Sequence, residues 1–319
     1  MCPAPTFEPE LLAWLESVGL DAPESVPLSG DVSPRRYARL TNTGGKSLVL
    51  AVYPPELLGV CARFLKTTAL LSSAGVRVPA VVAADCRRGF MVVEDLGEQT
   101  VAELGLPSPA VRPYFESALA AARRIASLPV EQVVGLNPPL GEELLARELE
   151  QTWERLFVPH GLVRDPGLAS ALQQAGLWLA RELGREPLVP CHRDFMVRNL
   201  MPLPGGEVAV LDHQDLRLGP AAYDLASLCN DTLFPSSEDE ARWVTETLGD
   251  DGRLPYRLAA AQRCLKAVGT YAAFAARGAP RHVPLIAPTL RRALVHLGEL
   301  PETADLARRL GTAWREVLH

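Results

Sequence analysis

The chain has 319 residues, of which 48% are hydrophobic and 22% charged, and its formal net charge is −6. This length predicts two domains rather than one small core, and the composition is typical of a soluble globular protein. The sequence contains neither an apolar run long enough to span a bilayer nor an N-terminal basic segment followed by an apolar core, and its negative charge does not favour nucleic-acid binding. We therefore expect a cytoplasmic protein with no membrane or nucleic-acid partner and no evident protein partner.

Six cysteines are spread along the sequence, at positions 2, 61, 86, 191, 229 and 264. They show neither the close pairs of a zinc site nor the density of a small disulfide scaffold. We expect reduced thiols that are mostly buried.

The N-terminal part of the chain has the pattern of a small antiparallel sheet. After a short amphipathic helix around Glu8–Val18, "RRYARL" and "KSLVLAVY" flank "TNTGG", a sequence that favours a hairpin turn. A helix is predicted from Glu56 to Ala74, opened by Pro54-Pro55 and ended by Gly75, and "VRVPAVVAAD" and "GFMVVED" predict two more strands. Long helical segments follow. The pattern predicts an α+β fold with a sheet-containing lobe over 1–95 and a mainly helical lobe over 96–319.

Residues with oxygen-bearing side chains lie next to two short extended runs in the second lobe. "HRDFMVRN" follows the run "PLVP", and the run "EVAVLD" ends in Asp212. Asp194 can accept a hydroxyl proton, Asn199 can offer a neutral oxygen to a cation, and Asp212 adds a carboxylate. Together they predict a magnesium and phosphoryl-transfer site. The alternative is that His192 and Asp194 only form hydrogen bonds within a loop.

The complete set resembles the kinase-like small-molecule phosphotransferases, the family of aminoglycoside phosphotransferases and choline kinases. It consists of His192-x-Asp194-x-x-x-x-Asn199, the strand ending in Asp212, and "GPAAYDLASL" with Asp224. The resemblance implies a protein-kinase-like two-lobe fold, ATP as donor, Asp194 as catalytic base, and Asn199 and Asp212 as magnesium ligands. It also implies that Asp224 caps its helix and braces the catalytic loop.

Several stretches are similar to one branch of that family, the bacterial anomeric N-acetylmuramate/N-acetylglucosamine kinases of peptidoglycan recycling. They extend from about residue 28 to about 290 and include "SGDVSPRRYARL", "GFMVVEDLG", "DHQDLRLGPAAYDLASL" and "QRCLKAVGTYAAFA". This resemblance implies ATP-dependent phosphorylation of the anomeric hydroxyl of the sugar. It also implies that adenine binds the backbone of Glu94 and Leu96, and that the turn with Gly30 and Ser33 covers the phosphates.

The sequence departs from the protein-kinase pattern because "SLVLAVY" contains no Lys and the following helix has no mid-helix Glu to pair with one. Another cation must then contact the phosphates. Strand alternation puts Arg36 on the face of the apolar Ala38, toward core or cleft, and Arg35 on the opposite face. Arg36 is therefore our candidate for binding the nucleotide phosphates. An ion pair with Asp31 or Asp85 is the alternative.

Arg198 is a second candidate cation. Protein kinases place a Lys two residues after the base, where this chain has Met196. Arg198 could stabilise the transferring phosphoryl group from another direction. The alternative is an exposed loop arginine.

The acceptor is defined less well than the donor. Gln262 and Lys266 are four residues apart on one predicted helix face and could donate hydrogen bonds to acceptor oxygens, although a solvated pair is the alternative. Asp215 either binds a sugar hydroxyl or supports the metal ligand. Two other functions compete with the sugar kinase: a kinase for an aminoglycoside or another small alcohol, and a non-catalytic nucleotide-binding pseudokinase.

Overall fold

The structure is a computed structural model that describes residues 7–20, 24–28, 34–41 and 44–317. The chain divides into two compact units. The N-terminal unit extends to Glu98 and includes the returning segment Ala209–Gln214, and the C-terminal unit contains the rest. The domains predicted over 1–95 and 96–319 stay a prediction.

The N-terminal unit contains five strands and two α-helices in its described part. Their bounds are α1 Pro9–Ser17, β1 Glu24–Leu28, β2 Arg36–Thr41, β3 Ser47–Val52, α2 Leu58–Ser73, β4 Val81–Asp85 and β5 Phe90–Glu94. The strands form one antiparallel sheet in the order β1-β2-β3-β5-β4. The sequence predicted four of them. It did not predict β1, an edge strand that contains Pro27, because proline lacks the N–H that an inner strand needs.

The two faces of this sheet pack against different helices. Ala38 and Leu40 lie on the face whose apolar core includes Trp14 and Leu15 of α1. Ala51 lies in the second cluster, which includes Cys61 of α2. Both α1 side chains are nearly fully buried, which contributes about 1.5–3 kcal/mol for each large side chain. The side chains of β2 that alternate with Ala38 therefore lie on the α2 side of the sheet.

The C-terminal unit is mainly helical, as predicted. Its helices are α3 Ser108–Ala126, α4 Val130–Val133, α5 Glu142–Thr152, α6 Pro166–Gly184, α7 Tyr223–Cys229, α8 Ser237–Leu248, α9 Arg253–Ala276, α10 Ile286–Gly298 and α11 Ala304–Val317. Its strands are β6 Leu188–Cys191, β7 Leu200–Pro202 and β9 Arg217–Pro220, of which β6 and β9 pair in antiparallel fashion. Strand β8, Val208–Val210, lies mostly in the segment Ala209–Gln214 of the N-terminal unit. An antiparallel N-terminal sheet followed by a mainly helical unit confirms the predicted α+β class.

Helix α9 lies at the centre of the C-terminal unit and packs closely on α5. A Cβ atom built on Gly269 would lie 2.2 Å from Thr152 Oγ1 and 2.5 Å from Thr152 Cα, so no larger residue fits without displacing backbone. Thr152 also donates a hydrogen bond of 2.7 Å to the carbonyl of Leu265. These contacts fix the position of α9, from which Lys266 extends.

Two further predictions concern the chain as a whole. The five described cysteines are free thiols and four of them are buried, as expected. Although α9 has 24 residues, neither it nor any other helix in the described ranges combines the length and apolarity of a membrane span.

Candidate active site

The segment His192–Asn199, called the catalytic loop below, follows β6 and is held by Asp224. The Asp224 carboxylate accepts hydrogen bonds from the backbone N–H of His192 at 2.7 Å and of Arg193 at 2.9 Å. These bonds hold Arg193 at φ +76°, a left-handed conformation that is uncommon for a residue with a side chain. The bracing role predicted for Asp224 is confirmed. The capping role is wrong, because Ala222 occupies the N-cap of α7 without a side-chain bond.

Asp194 is an ionised carboxylate next to a lysine. Its Oδ1 accepts a hydrogen bond from Lys266 Nζ at 2.8 Å, and its Oδ2 lies 3.8 Å from Arg193 Nη1. Burial alone would raise the pKa of Asp194, but the charges of Lys266, Arg193 and Arg263 hold it well below its ordinary value. The side chain keeps an exposed fraction of 20%. Asp194 can therefore accept a hydrogen bond from a hydroxyl group.

Asn199 is oriented by the backbone of the same loop. Its Nδ2 donates a hydrogen bond of 2.8 Å to the carbonyl of Asp194. This contact uses the amide nitrogen and leaves Oδ1 as the acceptor. A cation ligand needs such an oxygen.

Arg198 is bound by partners in the C-terminal unit. It donates to Asp231 through Nε at 3.0 Å and Nη2 at 2.7 Å, and to the Tyr271 hydroxyl at 2.9 Å. The Asp231 side chain is fully buried and that of Arg198 is 24% exposed. Arg198 is therefore not an exposed loop arginine, and its role toward a phosphoryl group stays a prediction.

Arg193 connects the loop to two carboxylates. Its Nη2 donates to Glu148 of α5 at 2.7 Å and its Nη1 to Asp215 at 3.3 Å. Asp215 also accepts from Arg217 at 3.4 Å, so both alternatives for its role stay open. The sequence prediction missed Glu148, whose pKa burial would raise but Lys266 and Arg193 hold below its ordinary value. A signal existed, since Glu148 shares the buried stripe of α5 with Leu145.

Gln262 does not lie where the sequence predicted. It shares a helix face with Lys266, but its side chain is fully buried. Its Oε1 accepts from the Tyr223 hydroxyl at 3.0 Å, and its Nε2 donates to Glu148 at 3.3 Å. The prediction that Gln262 binds the acceptor is corrected, because spacing identifies a shared face and does not show how deeply each residue lies in the core.

In the N-terminal unit, Asp212 lies beside Arg35. Asp212 adopts φ +57°, and its Oδ1 accepts from Gln214 Nε2 at 2.7 Å and from Arg35 Nη2 at 3.4 Å. The Arg35 guanidinium lies 5.6 Å and 5.9 Å from the ring centroids of Tyr37 and Tyr53. Both of these bonds reach Oδ1 of Asp212.

The prediction that Arg36 lies toward the core or the cleft is wrong. Its side chain is 70% exposed and lies 3.7 Å from Glu8, whereas that of Arg35 is only 14% exposed. Alternation along β2 was correct. The error lay in the choice of face, because α1 covers the side that Arg36 shares with Ala38. Arg35 therefore replaces Arg36 as the candidate cation.

The predicted adenine-binding segment begins at Glu94, the last residue of β5. The Glu94 side chain accepts from Arg77 Nη2 at 2.5 Å and from the Ala80 backbone N–H at 3.1 Å, and the bond to Arg77 lowers its pKa. The Glu94 side chain therefore forms hydrogen bonds within the N-terminal unit. The backbone roles of Glu94 and Leu96 stay predictions. The predicted phosphate-covering residues Gly30 and Ser33 lie outside the described residues.

Asn199 and Asp212 each offer an oxygen atom, the kind of ligand that magnesium prefers. Within residues 7–20, 24–28, 34–41 and 44–317, no group of three His, Cys, Asp or Glu residues could hold a metal ion. Magnesium bound with a nucleotide needs only one or two protein oxygen ligands, since phosphates and water supply the others. Asn199 Oδ1 and Asp212 Oδ2 are oxygens of the required type.

These features define a class of protein. The antiparallel sheet, the helical unit and a loop whose Asp and Asn are braced by a helix Asp are those of the kinase-like small-molecule phosphotransferases. The model of the phosphotransferase enzyme family matches residues 24–260, and the chain belongs to this family. The resemblance predicted from the sequence is confirmed, and the protein is a phosphotransferase enzyme.

Two relatives match most of this chain. The N-acetylmuramate/N-acetylglucosamine kinase of Pseudomonas aeruginosa is 34% identical over 313 residues, which cover 91% of this chain and 88% of that protein. The kinase of the same name from Pseudomonas putida is 32% identical over 305 residues, covering 87% and 85%. This similarity extends over both units.

Solved structures share the fold at low sequence identity. The choline kinase LicA of Streptococcus pneumoniae superposes with a TM-score of 0.61 at 14% identity, covering 95% of this chain and 98% of that one. An ethanolamine kinase of Plasmodium vivax gives 0.61 at 14% identity, covering 96% and 93%. These matches confirm the protein-kinase-like fold.

Proposed function

We propose that this phosphotransferase is an ATP- and magnesium-dependent kinase that phosphorylates the anomeric hydroxyl of N-acetylmuramate or N-acetylglucosamine. The observation that carries phosphoryl transfer is the Asp194 carboxylate, which is held ionised, partly exposed and beside a lysine ammonium. The acceptor class is supported by two relatives, 32–34% identical, that are named N-acetylmuramate/N-acetylglucosamine kinases. The proposed compartment is the cytoplasm.

The chemistry assigned to Asp194 follows from its contacts. Lys266 occupies Oδ1, so we assign the acceptor hydroxyl to Oδ2. The hydroxyl oxygen forms a bond to the γ-phosphorus of ATP while the bond from that phosphorus to the bridging oxygen breaks. The proton passes to Asp194 and the electron pair leaves with ADP. Arg193, held by Glu148, keeps the loop backbone in position for this step.

Nucleotide binding is assigned to the remaining predicted residues. Asn199 and Asp212 would hold magnesium, which when bound neutralises charge on the phosphate oxygens. Arg35 would bind the phosphates in place of Arg36. Two further assignments rest on the sequence resemblance: backbone groups at Glu94 and Leu96 for adenine, and the turn with Gly30 and Ser33 for the phosphates.

A panel of acceptors tests the proposal. The full-length protein is incubated with ATP, MgCl₂ and one acceptor at a time: N-acetylmuramate, N-acetylglucosamine, its methyl glycoside, an aminoglycoside or choline. We expect ADP formation with the two free sugars and a sugar 1-phosphate by phosphorus NMR. The methyl glycoside is the matched control, because its anomeric oxygen is blocked.

Other results of the panel would contradict the proposal. Phosphorylation of the methyl glycoside would move the reaction to another hydroxyl, and turnover with the aminoglycoside or choline alone would indicate a different kinase. Nucleotide binding without turnover would support a pseudokinase.

Asp194→Asn should abolish turnover and leave ATP affinity nearly unchanged, because the base contacts the acceptor and not the nucleotide.

A further inference from the structure

Lys266 has unused hydrogen-bonding capacity next to the proposed base. An ammonium group carries three N–H donors, and one of them bonds Asp194 Oδ1 at 2.8 Å. Among the described residues the other two donors have no hydrogen-bond partner. The side chain is 12% exposed, so it is largely desolvated yet still accessible. A partly buried cation with free donors indicates a site for an anionic group.

The other cations near the catalytic loop are less available. Arg198 donates to Asp231 and to Tyr271. Arg263 is only 2% exposed, with Met196 Sδ at 3.7 Å from its Nη2. Arg193 lies 3.8 Å from Asp194 but donates to Glu148 and Asp215. Lys266 differs from these three arginines because, among the described residues, its charged group forms a hydrogen bond with Asp194 alone.

The backbone of Lys266 is held by close helix packing, and its ammonium by the bond to Asp194. Its helix packs on α5 through Gly269 and Thr152, where no side-chain atom could be added at Gly269 without a clash. A preorganised donor of this kind stabilises charge that develops in a transition state without having to reorganise during the reaction.

We propose that Lys266 is a catalytic residue whose ammonium donates a hydrogen bond to an equatorial oxygen of the phosphoryl group during transfer. Lys266 stays protonated throughout. It neutralises negative charge on that oxygen while the hydroxyl proton moves to Asp194 and ADP departs. This inference rests on the proposed phosphoryl transfer and revises the acceptor-binding role that the sequence suggested for Lys266. It also transfers to Lys266 the task first assigned to Arg198.

The test uses three variants of the full-length protein. Lys266→Met removes the donors with little change in volume, and Lys266→Arg keeps the charge. Arg253→Met is the matched control, since it changes an exposed cation at the start of the same helix. For Lys266→Met we expect kcat to fall roughly 10²–10³-fold, as for the loss of one transition-state donor, while the acceptor KM changes less than about threefold. Lys266→Arg should recover part of the rate, and Arg253→Met should match the wild type.

An equilibrium measurement separates catalysis from positioning of Asp194. The complex of ADP with aluminium fluoride mimics the transferring phosphoryl group. Lys266→Met should weaken its binding roughly 30-fold or more and leave ADP affinity within about threefold, because the contact exists only to that group. A residue that only positions Asp194, or only binds the acceptor, would leave both affinities unchanged.

The outcomes distinguish the two proposals. Wild-type protein that neither turns over any acceptor nor binds the ADP–aluminium fluoride complex would overturn the proposed function. Active wild-type protein with an equally active Lys266→Met variant would overturn only the role of Lys266. A raised acceptor KM at unchanged kcat would return Lys266 to acceptor binding.

Discussion

At the scale of single residues, the two carboxylates to which the proposed function assigns roles each lie next to a cation. Asp194 and its partner Lys266 are largely buried, whereas Asp212, the partner of Arg35, is 42% exposed. Removing one member of a buried pair leaves an uncompensated charge, which typically costs more than the pair contributes. The effect of a substitution in either pair therefore includes the effect of the charge that its partner keeps. Arg35 is a useful case, since its neighbour Arg36 has the same chemistry and lies on the other face of β2.

Arg35→Ala should weaken ATP binding much more than adenosine binding. The expected loss is roughly 1.5–3 kcal/mol, as for a charge-assisted hydrogen bond, because phosphate loses a cation while Asp212 loses its partner. Arg36→Ala is the matched control and should change both affinities little, since its side chain is 70% exposed. Calorimetric titration with ATP and adenosine measures the difference. Equal losses for both ligands in Arg35→Ala would make Arg35 purely structural.

At the scale of helices and strands, sequence patterns predicted local structure well and burial less well. Alternation correctly placed Arg35 and Arg36 on opposite faces. The pattern within β2 could not show that α1 covers the face of Arg36, since that depends on contacts between distant segments. Gln262 illustrates the same limit. Helical spacing put it on one face with Lys266, but its hydrogen bond to Glu148, a residue that the prediction missed, depends on α5 packing against α9.

Contacts within the motif are nearly local. Asn199 donates to the carbonyl of Asp194 five residues earlier, so the spacing of the motif brings the two residues together. The magnesium-binding role of Asn199 stays a prediction. The bracing by Asp224 came from the family resemblance. The partner of Arg198, Asp231, is 33 residues away in the sequence and had no motif to identify it.

The contact between α5 and α9 supports a prediction about elements. Gly269→Ala should destabilise the protein by roughly 1–3 kcal/mol, because the added Cβ meets Thr152 backbone that cannot rotate away. This value is the net change, because the steric cost of the added Cβ exceeds the gain of about 1 kcal/mol that alanine offers in a helix. Urea denaturation at constant pH measures the change.

A second helical glycine provides the control. At Gly311 in α11 the nearest atom to an added Cβ is Leu294 Cδ1, at 3.4 Å, which is an ordinary contact. Gly311→Ala should therefore stabilise the protein by roughly 0.5–1 kcal/mol through helix propensity. If Gly269→Ala stabilised the protein as Gly311→Ala should, this result would contradict the close contact of α9 with Thr152 of α5.

At the scale of the whole molecule, buried ionisable groups determine how stability responds to acid. The pKa values of Asp194 and Glu148 lie below their ordinary values, so their protonation in acid costs stability. His296 acts in the same direction for the opposite reason. Burial, with a contribution from the charge of Arg292, lowers its pKa from 6.5 to about 3, so the folded state keeps the ring neutral. In all three cases the unfolded chain binds more protons than the folded one as the pH falls.

The contribution of His296 can be isolated between pH 7 and pH 5. Only the unfolded state gains the proton in this window, because 6.5 lies within it and the folded pKa of about 3 lies below it. Stability from the neutral ring is therefore present above pH 6.5 and is lost on acidification, by about 2 kcal/mol at pH 5. His296→Gln retains a donor for Asn230 Oδ1, which the ring contacts at 2.9 Å, and should remove this part of the pH dependence.

Urea midpoints of the wild type and His296→Gln at pH 7 and pH 5 measure the pH dependence of stability, with the exposed His160→Gln as control. An unchanged pH dependence in His296→Gln would show that other groups account for the loss, whereas a flatter one would locate it in the contact between α10 and Asn230.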